Sequence, residues 1–253
     1  MRHFLVVFVC LLTVGTLAAE ELKFNTEDFP PFNYELEGKV AGPARDLIEK
    51  ICTVMGQQCS YALLPFRRVI ENAQNGEVDG IFSVGRTSER EAFLLYSKPI
   101  IKTGYGFFVL ADDPIVYSAI ADLKDYKFAT YGPSSLATTL QDVVSPIGSP
   151  NVELEVKLAT ALKKLSARRY GDKAVVYANK DVGMGVIKSE NIQGLRYLGD
   201  ERPIYYYVGF SRRRVTEAFV QGFNSELDKL RTSGELENLF SKYAITPAEE
   251  SAK

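Results

Sequence analysis

The order of residues 76–91, Gly-Glu-Val-Asp-Gly-Ile-Phe-Ser-Val-Gly-Arg-Thr-Ser-Glu-Arg-Glu, constrains the fold of this chain more than any other stretch. A helical pattern over 66–75 stops at Gly76, a short buried strand covers 78–82, and small residues lead into Thr87-Ser-Glu-Arg90. Arg90 therefore falls just beyond the carboxyl end of a strand, at the start of a helix. That is where α/β sheets bind small ligands. A surface arginine after an ordinary turn is the plain alternative.

The same grammar runs through the rest of the chain. A strand is expected at 22–26 and a helix at 43–55, with Gly42-Pro43 as its start signal and Gly56 as its stop. Leu47, Ile48, Ile51, Cys52 and Met55 give that helix an apolar stripe. Further on come a strand at 127–131, a helix opening at Gly132-Pro-Ser-Ser135, a helix over 158–170 and a strand at 174–177 after Gly171. Alternating strands and helices predict an α/β fold with a mostly parallel sheet in each half. Two apolar extended runs, 105–110 and 205–210, are either central strands of one sheet or crossovers between two lobes. Their wide separation favours crossovers. Residues 20–106 and 208–246 then form lobe 1, and residues 107–207 form lobe 2. Two amphipathic helices, marked by Val215, Ala218, Phe219, Phe223, Leu227 and Leu230 and by Leu236, Leu239, Phe240 and Tyr243, pack on lobe 1. Residues 247–253 read as a disordered tail.

What the composition lacks narrows the chemistry. Met1-Arg-His3 is a positive start, residues 4–17 are apolar, and Thr16-Leu-Ala-Ala19 offers a small-residue cleavage site. Residues 1–19 thus read as a secretory signal peptide, too short to span a bilayer. The only histidine is His3, so the mature chain has none. That excludes Ser-His-Asp and Cys-His catalysis and every histidine-based metal site. Cys52 and Cys59 are the cysteines left after the signal, too few for structural zinc. In an exported protein their C-x6-C spacing is best read as a disulfide, two buried thiols being the alternative. The net charge of −2 suggests neither nucleic acid nor an anionic membrane as partner.

The phrase at 76–91, with Tyr96-Ser-Lys-Pro99 behind it, resembles the bacterial extracellular solute-binding proteins of family 3, the periplasmic receptors for polar amino acids. The resemblance covers the mature chain to about Tyr243. It implies a two-lobed periplasmic binding protein of type II, each lobe a mostly parallel sheet flanked by helices, the two joined by crossover strands. It also implies a periplasmic monomer without a cofactor, closing on a small carboxylate-bearing solute for the permease of an ABC importer. Several histidine- and lysine/arginine-binding members of the family carry the same cysteine pair.

Carried over residue by residue, the resemblance makes Arg90 the clamp for the ligand's carboxylate, helped by the Ser83 hydroxyl and the Gly85 N–H. In Thr26-Glu-Asp-Phe-Pro-Pro-Phe32, Phe29 stacks on the ligand and Glu27 reaches a cationic group, although this loop is one spacer residue short of the family pattern. Phe32 reads as core. Within Leu64-Pro-Phe-Arg-Arg68, Phe66 lines the side-chain pocket, and Arg67 or Arg68 either extends into it or stays solvated. Arg86 either charges the cleft mouth or faces solvent. From lobe 2, Ser134 (or Ser135) approaches the carboxylate or merely caps a helix. Asn179 stands where amino-acid receptors carry the aspartate that pairs with the ligand's α-ammonium. It brings no charge, and Asp181 could replace it only if the register slips. A carboxylate other than a standard α-amino acid is therefore left open. Two rival functions share the fold: a cyclohexadienyl dehydratase-like enzyme using Glu27, Asp28 or Glu89, and a soluble sensory receptor serving a membrane signalling partner.

The signal-like start has a direct test. N-terminal sequencing of the exported protein should find Ala19 or Glu20 first, and an intact Met1 would contradict it.

Overall fold

A computed structural model describes residues 21–148 and 150–249; the signal expected at 1–19 lies outside the described residues. The first half runs β1 (Leu22–Thr26), β2 (Tyr34–Leu36), β3 (Lys39–Ala41), α1 (Pro43–Val54), β4 (Cys59–Leu63), α2 (Phe66–Asn75), β5 (Gly80–Val84), α3 (Ser88–Glu91), β6 (Leu94–Tyr96) and β7 (Ile101–Leu110). The second half runs β8 (Lys127–Tyr131), α4 (Ser135–Val144), β9 (Val152–Glu155), α5 (Leu158–Ser166), β10 (Ala174–Asn179), α6 (Lys180–Ser189), β11 (Leu195–Ser211), α7 (Glu217–Thr232) and α8 (Glu235–Ser241). No helix among the described residues is long and apolar enough to cross a membrane.

Parallel pairs β1–β4 and β1–β5 build the first lobe, and parallel pairs β8–β10 and β8–β9 build the second. Between them, β7 and β11 pair antiparallel from Leu195 opposite Leu110 to Tyr206 opposite Ile101. β7 also pairs with β10, while Tyr207 to Phe210 of β11 pair with β5. The hydrogen-bonded order is β4-β1-β5-β11-β7-β10-β8-β9, with β6 also on β11. The two apolar runs are thus central strands and crossovers at once, because each long strand serves both lobes.

Helices cover both faces of each lobe. In the first, α1, α7 and α8 bury Leu47, Ile48, Ile51, Phe223, Leu227 and Phe240, and α2 sets Val69 and Ala73 against Ile81 and Val84. In the second, α5 packs Leu158, Leu162 and Leu165 on one face, and α4 packs Leu136 and Leu140 on the other. Every residue of β10 is buried, as expected of a strand in a sheet covered on both sides.

Three expectations are corrected. The strand placed at 78–82 lies at Gly80–Val84, because Asp79 is occupied as an anchor. Its carboxylate accepts from the Lys23 N–H at 2.8 Å and from Arg214 Nε at 3.1 Å. The helix expected to reach residue 170 ends at Ser166. There the Arg169 N–H bonds to Lys164 O and the Arg168 N–H to Leu165 O, both at 2.9 Å, with Arg168 left-handed at φ 55°. This is a Schellman ending built without glycine. Third, the tail is packed through Ala248, whose N–H donates to Ile100 O at 3.1 Å while Pro247 bridges Ile101.

The Cys52–Cys59 disulfide is formed, tying α1 to the first residue of β4. Closing so short a loop restricts the unfolded chain by roughly 2–3 kcal/mol. Reduction should lower the denaturation midpoint accordingly, and titration of two free thiols in the unfolded, unreduced protein would contradict the bond.

Candidate functional site

The loop after β1 is held from below by buried polar groups. Thr26 Oγ1 donates to Phe82 O at 3.0 Å. Asn33 Nδ2 donates to Thr26 Oγ1 at 2.8 Å and to Glu27 O at 2.5 Å. These bonds fix Glu27 and Phe29 at the carboxyl end of β1. Phe32 is fully buried in the core, as expected. Phe29 is half-buried, with its ring 5.2 Å from Phe32 and edge-on to Tyr206 at 5.6 Å. Its remaining surface lines an apolar inter-lobe cavity of about 380 Å³ with Pro30, Pro31, Val182 and Gly185.

β5 delivers the next group. Ser83 is buried in the left-handed region at φ 57°, and its hydroxyl has no partner among the described residues. Two residues on, the Gly85 carbonyl accepts from Arg90 Nη1 at 2.9 Å and from the Tyr96 hydroxyl at 3.3 Å. Thr87 caps α3 by accepting from the Arg90 N–H at 3.3 Å. The Arg90 guanidinium lies 5.0 Å over the Phe66 ring. It forms no ion pair with a described carboxylate. Arg86 differs on each count. It is exposed, and its Nε donates to Glu91 Oε1 at 2.5 Å. Arg67 and Arg68 are likewise exposed, 2.9 Å from Glu71 and 3.6 Å from Glu77.

The second lobe contributes mostly neutral groups. Ser134 caps α4: its hydroxyl donates to Tyr131 O at 2.8 Å and accepts from the Ala137 N–H at 3.1 Å. Asn179 caps α6, its Oδ1 accepting from the Asp181 and Val182 N–H groups at 3.0 and 3.1 Å. Thr103 Oγ1 lies 3.2 Å from that same oxygen and also faces the Asp181 carboxylate. Asn179 Nδ2 reaches the Tyr206 hydroxyl at 3.4 Å, and Tyr206 in turn bonds to Tyr105.

Burial pushes the Glu27 carboxyl above its usual range; the Arg90 charge offsets part of this, and Asp28 adds to it. Burial also raises the Tyr131 hydroxyl, which feels the Glu27 and Tyr105 charges. Glu27 therefore lies within electrostatic reach of Arg90 in its own lobe and of Tyr131 in the other. Glu27 and Phe66 line one cavity of about 360 Å³ with Asp28, Leu63, Leu64 and Pro65. Asp28 is exposed towards solvent on that rim, and Glu89 is exposed on α3.

Glu27, Phe66, Gly85 and Arg90 are thus gathered where β1, β4 and β5 end, with Ser83 buried in β5. Ser134 and Asn179 are committed to helix caps. Tyr105, Tyr206 and Asn33 have no site role legible in the sequence, and Tyr96 stands there only as part of the phrase Tyr96-Ser-Lys-Pro99. Tyr105 and Tyr206 lie in runs that read as apolar strands, and their polar tips inside those runs were the available signal.

The profile of the bacterial extracellular solute-binding proteins, family 3, matches residues 22–246. The chain belongs to this family. The arginine-binding periplasmic protein of Mannheimia haemolytica is 23% identical over 238 residues, 91% of this chain and 93% of that protein. Among solved structures, an ancestral cationic amino acid solute-binding protein matches with a TM-score of 0.73 at 16% identity, covering 88% of this chain and 95% of that one. A histidine kinase sensor domain with similarity to periplasmic binding proteins gives 0.68 at 21%, covering 91% and 99%. The fold is that of a type II periplasmic binding protein, and the family and relative carry the names of binding proteins.

A raised carboxyl pKa has a definite sign. Stability that depends on protonated Glu27 is complete below its ordinary value of 4.5 and is lost as pH rises through the elevated folded value. Glu27→Gln should therefore raise the melting temperature of the ligand-free protein at pH 7, and the gain should vanish towards pH 4. Melting curves across that range check this; a loss of stability at pH 7 would refute it.

Proposed function

We propose that the protein is a periplasmic receptor that closes its two lobes on a small carboxylate-bearing solute and presents it to an ABC importer. The observation that carries this reading is Arg90. Its guanidinium is oriented by the Gly85 carbonyl and the Phe66 ring, and no described carboxylate pairs with it. A fork of N–H donors held in this way matches a carboxylate in two-pronged geometry. A ligand touching both lobes would favour the closed state by the contacts it gains there. The periplasmic relative and the family supply the cellular setting for this reading. The sensor-domain likeness supports a second reading, in which the closed form is recognised by a membrane signalling partner. Loss of solute uptake on deleting the gene would favour the importer, and unchanged uptake the sensor.

Thermal-shift screening of amino acids, amines and small carboxylates on the mature protein would find the ligand, and calorimetry would test the clamp. Arg90→Ala leaves the bound anion unpaired, at a cost of about 2–5 kcal/mol. Affinity should fall about thirtyfold to several thousandfold. Arg90→Lys should recover only part of this, because an ammonium is a point charge. Arg86→Ala should change affinity by less than about fivefold, as for an exposed pair. The reverse pattern would overturn the assignment.

A further inference from the structure

Helix α6 carries two glycines, and packing explains only the first. A Cβ on Gly183 would lie 2.3 Å from the Phe108 ring, so no side chain fits there. A Cβ on Gly185 would meet, outside its own helix, only Pro31 Cδ at 3.8 Å, which is ordinary contact. The backbone at Gly185 is not left-handed either. Glycine is a poor helix former, and Gly185 lies in the middle of α6. The helix therefore gives up stability at a position where a side chain would fit. What the missing side chain leaves open is a cavity. Val182, Gly185, Val186 and Ser189 follow one another at three- and four-residue spacing along one side of α6, and all four line the inter-lobe space of about 380 Å³.

The opposite wall belongs to the first lobe and includes Phe29, Pro31 and Tyr34. It is held in place before any ligand arrives. The Phe29 N–H donates to Asn33 O at 2.8 Å, the Phe32 N–H donates to Phe29 O at 3.0 Å, and the Phe29 ring is braced by Phe32 and Tyr206. Charge and size then fix the occupant. None of the lining residues is charged, so an ion entering here would lose hydration without finding a partner. The polar side-chain tips are the hydroxyls of Tyr34 and Ser189, and Ser189 Oγ already donates to Val186 O at 3.3 Å. Either hydroxyl oxygen can accept from a single N–H or O–H donor. An apolar cavity of roughly 150 Å³ takes up benzene, and this larger one admits a molecule of two rings. Flat rings suit walls made of aromatic and proline rings.

We infer that this cavity is a second binding site, for a neutral aromatic molecule of one or two rings, held between the Phe29–Tyr34 loop and the Gly185 face of α6. The inference goes beyond the receptor reading and does not rest on it. The cavity shares Phe29 with the candidate cleft, but Arg90 does not line it. Because its walls belong to different lobes, an occupant touches both at once.

The chain contains no tryptophan, so the emission of added indole, excited beyond the tyrosine band, reports binding to the mature protein directly. Indole should bind at one site per chain with a dissociation constant of about 1 mM or tighter. Gly185→Leu fills the space and should weaken binding by about tenfold or more. Gly185→Ala fills less of it and should weaken binding less. Both variants should melt no lower than the unaltered protein, because each improves the helix; a lower melting temperature for Gly185→Ala would show that position 185 has no room and would overturn the inference. Benzamide and benzamidine differ little in shape but carry no charge and one positive charge. Benzamide should displace indole, and benzamidine should need about tenfold more or fail. Arg90→Ala should leave indole binding unchanged within about twofold. Absence of indole binding, equal binding to Gly185→Leu, or equal displacement by benzamidine overturns the inference and leaves the receptor reading untouched. Loss of indole binding in Arg90→Ala overturns it too, by placing the aromatic ring in the solute cleft itself.

Discussion

The antiparallel ladder between β7 and β11 is the constraint on which the rest of the molecule depends. Ten residue pairs hold it together from Leu195–Leu110 to Tyr206–Ile101. The two strands approach so closely that β7 must be bare at Gly106, while the Asp200 side chain fills the space beside Gly104. A Cβ on Gly104 would lie 2.1 Å from Asp200 Oδ1, and one on Gly106 would lie 2.1 Å from Gly199 O. In the same stretch the register slips twice, between Tyr197 and Gly199 and between Asp200 and Arg202. Such irregularities bend a strand and strengthen its local twist, and here they lie on the segment that passes between the lobes. Thr103, Tyr105 and Tyr206 all project from this ladder. The polar contacts that link the lobes near Asn179 are therefore set by strand pairing and need no loop to place them.

Much of this fold is legible locally. Gly42-Pro43 and Gly76 mark their helix ends because proline suits the first turn and glycine the left-handed cap. The end of α5 is not legible, since Arg168 adopts the same left-handed geometry without being glycine. Nor could the tail be read: residues 247–248 owe their order to Ile100 and Ile101, far away in sequence. The crossover runs were legible as strands, but their service to both lobes follows from pairing partners that lie outside the runs themselves.

The candidate site divides along the same line. Arg90 is recognisable because its place depends on a strand end and a short helix start, both written nearby. Arg86 lies only four positions earlier, yet it is closed off by Glu91, and only the folded backbone separates the two. Ser134 and Asn179 have side chains suited equally to ligands and to helix N-termini, and composition cannot say which use prevails. In both, the cap takes the side-chain oxygen. Glu27 is the opposite case: an ordinary loop carboxylate in the sequence, drawn by the buried Asn33 into a partly desolvated position beside a guanidinium.

The described ends of the chain meet in the first lobe: β1 lies within its sheet, and the segment after α8 is stitched to residues 100–102. The second lobe is, by contrast, one uninterrupted insertion. Its strands and helices find their partners within about a hundred residues, so its contacts are comparatively local and can form early. The first lobe must hold β1, β4 and β5 without their central neighbour until the end of β11 arrives, and its core stays open until α7 and α8 close over it. Were the chain exported amino end first, as the receptor reading implies, the lobe that enters first would be the one completed last. In the interval its exposed apolar sheet is the surface most in need of shielding from aggregation.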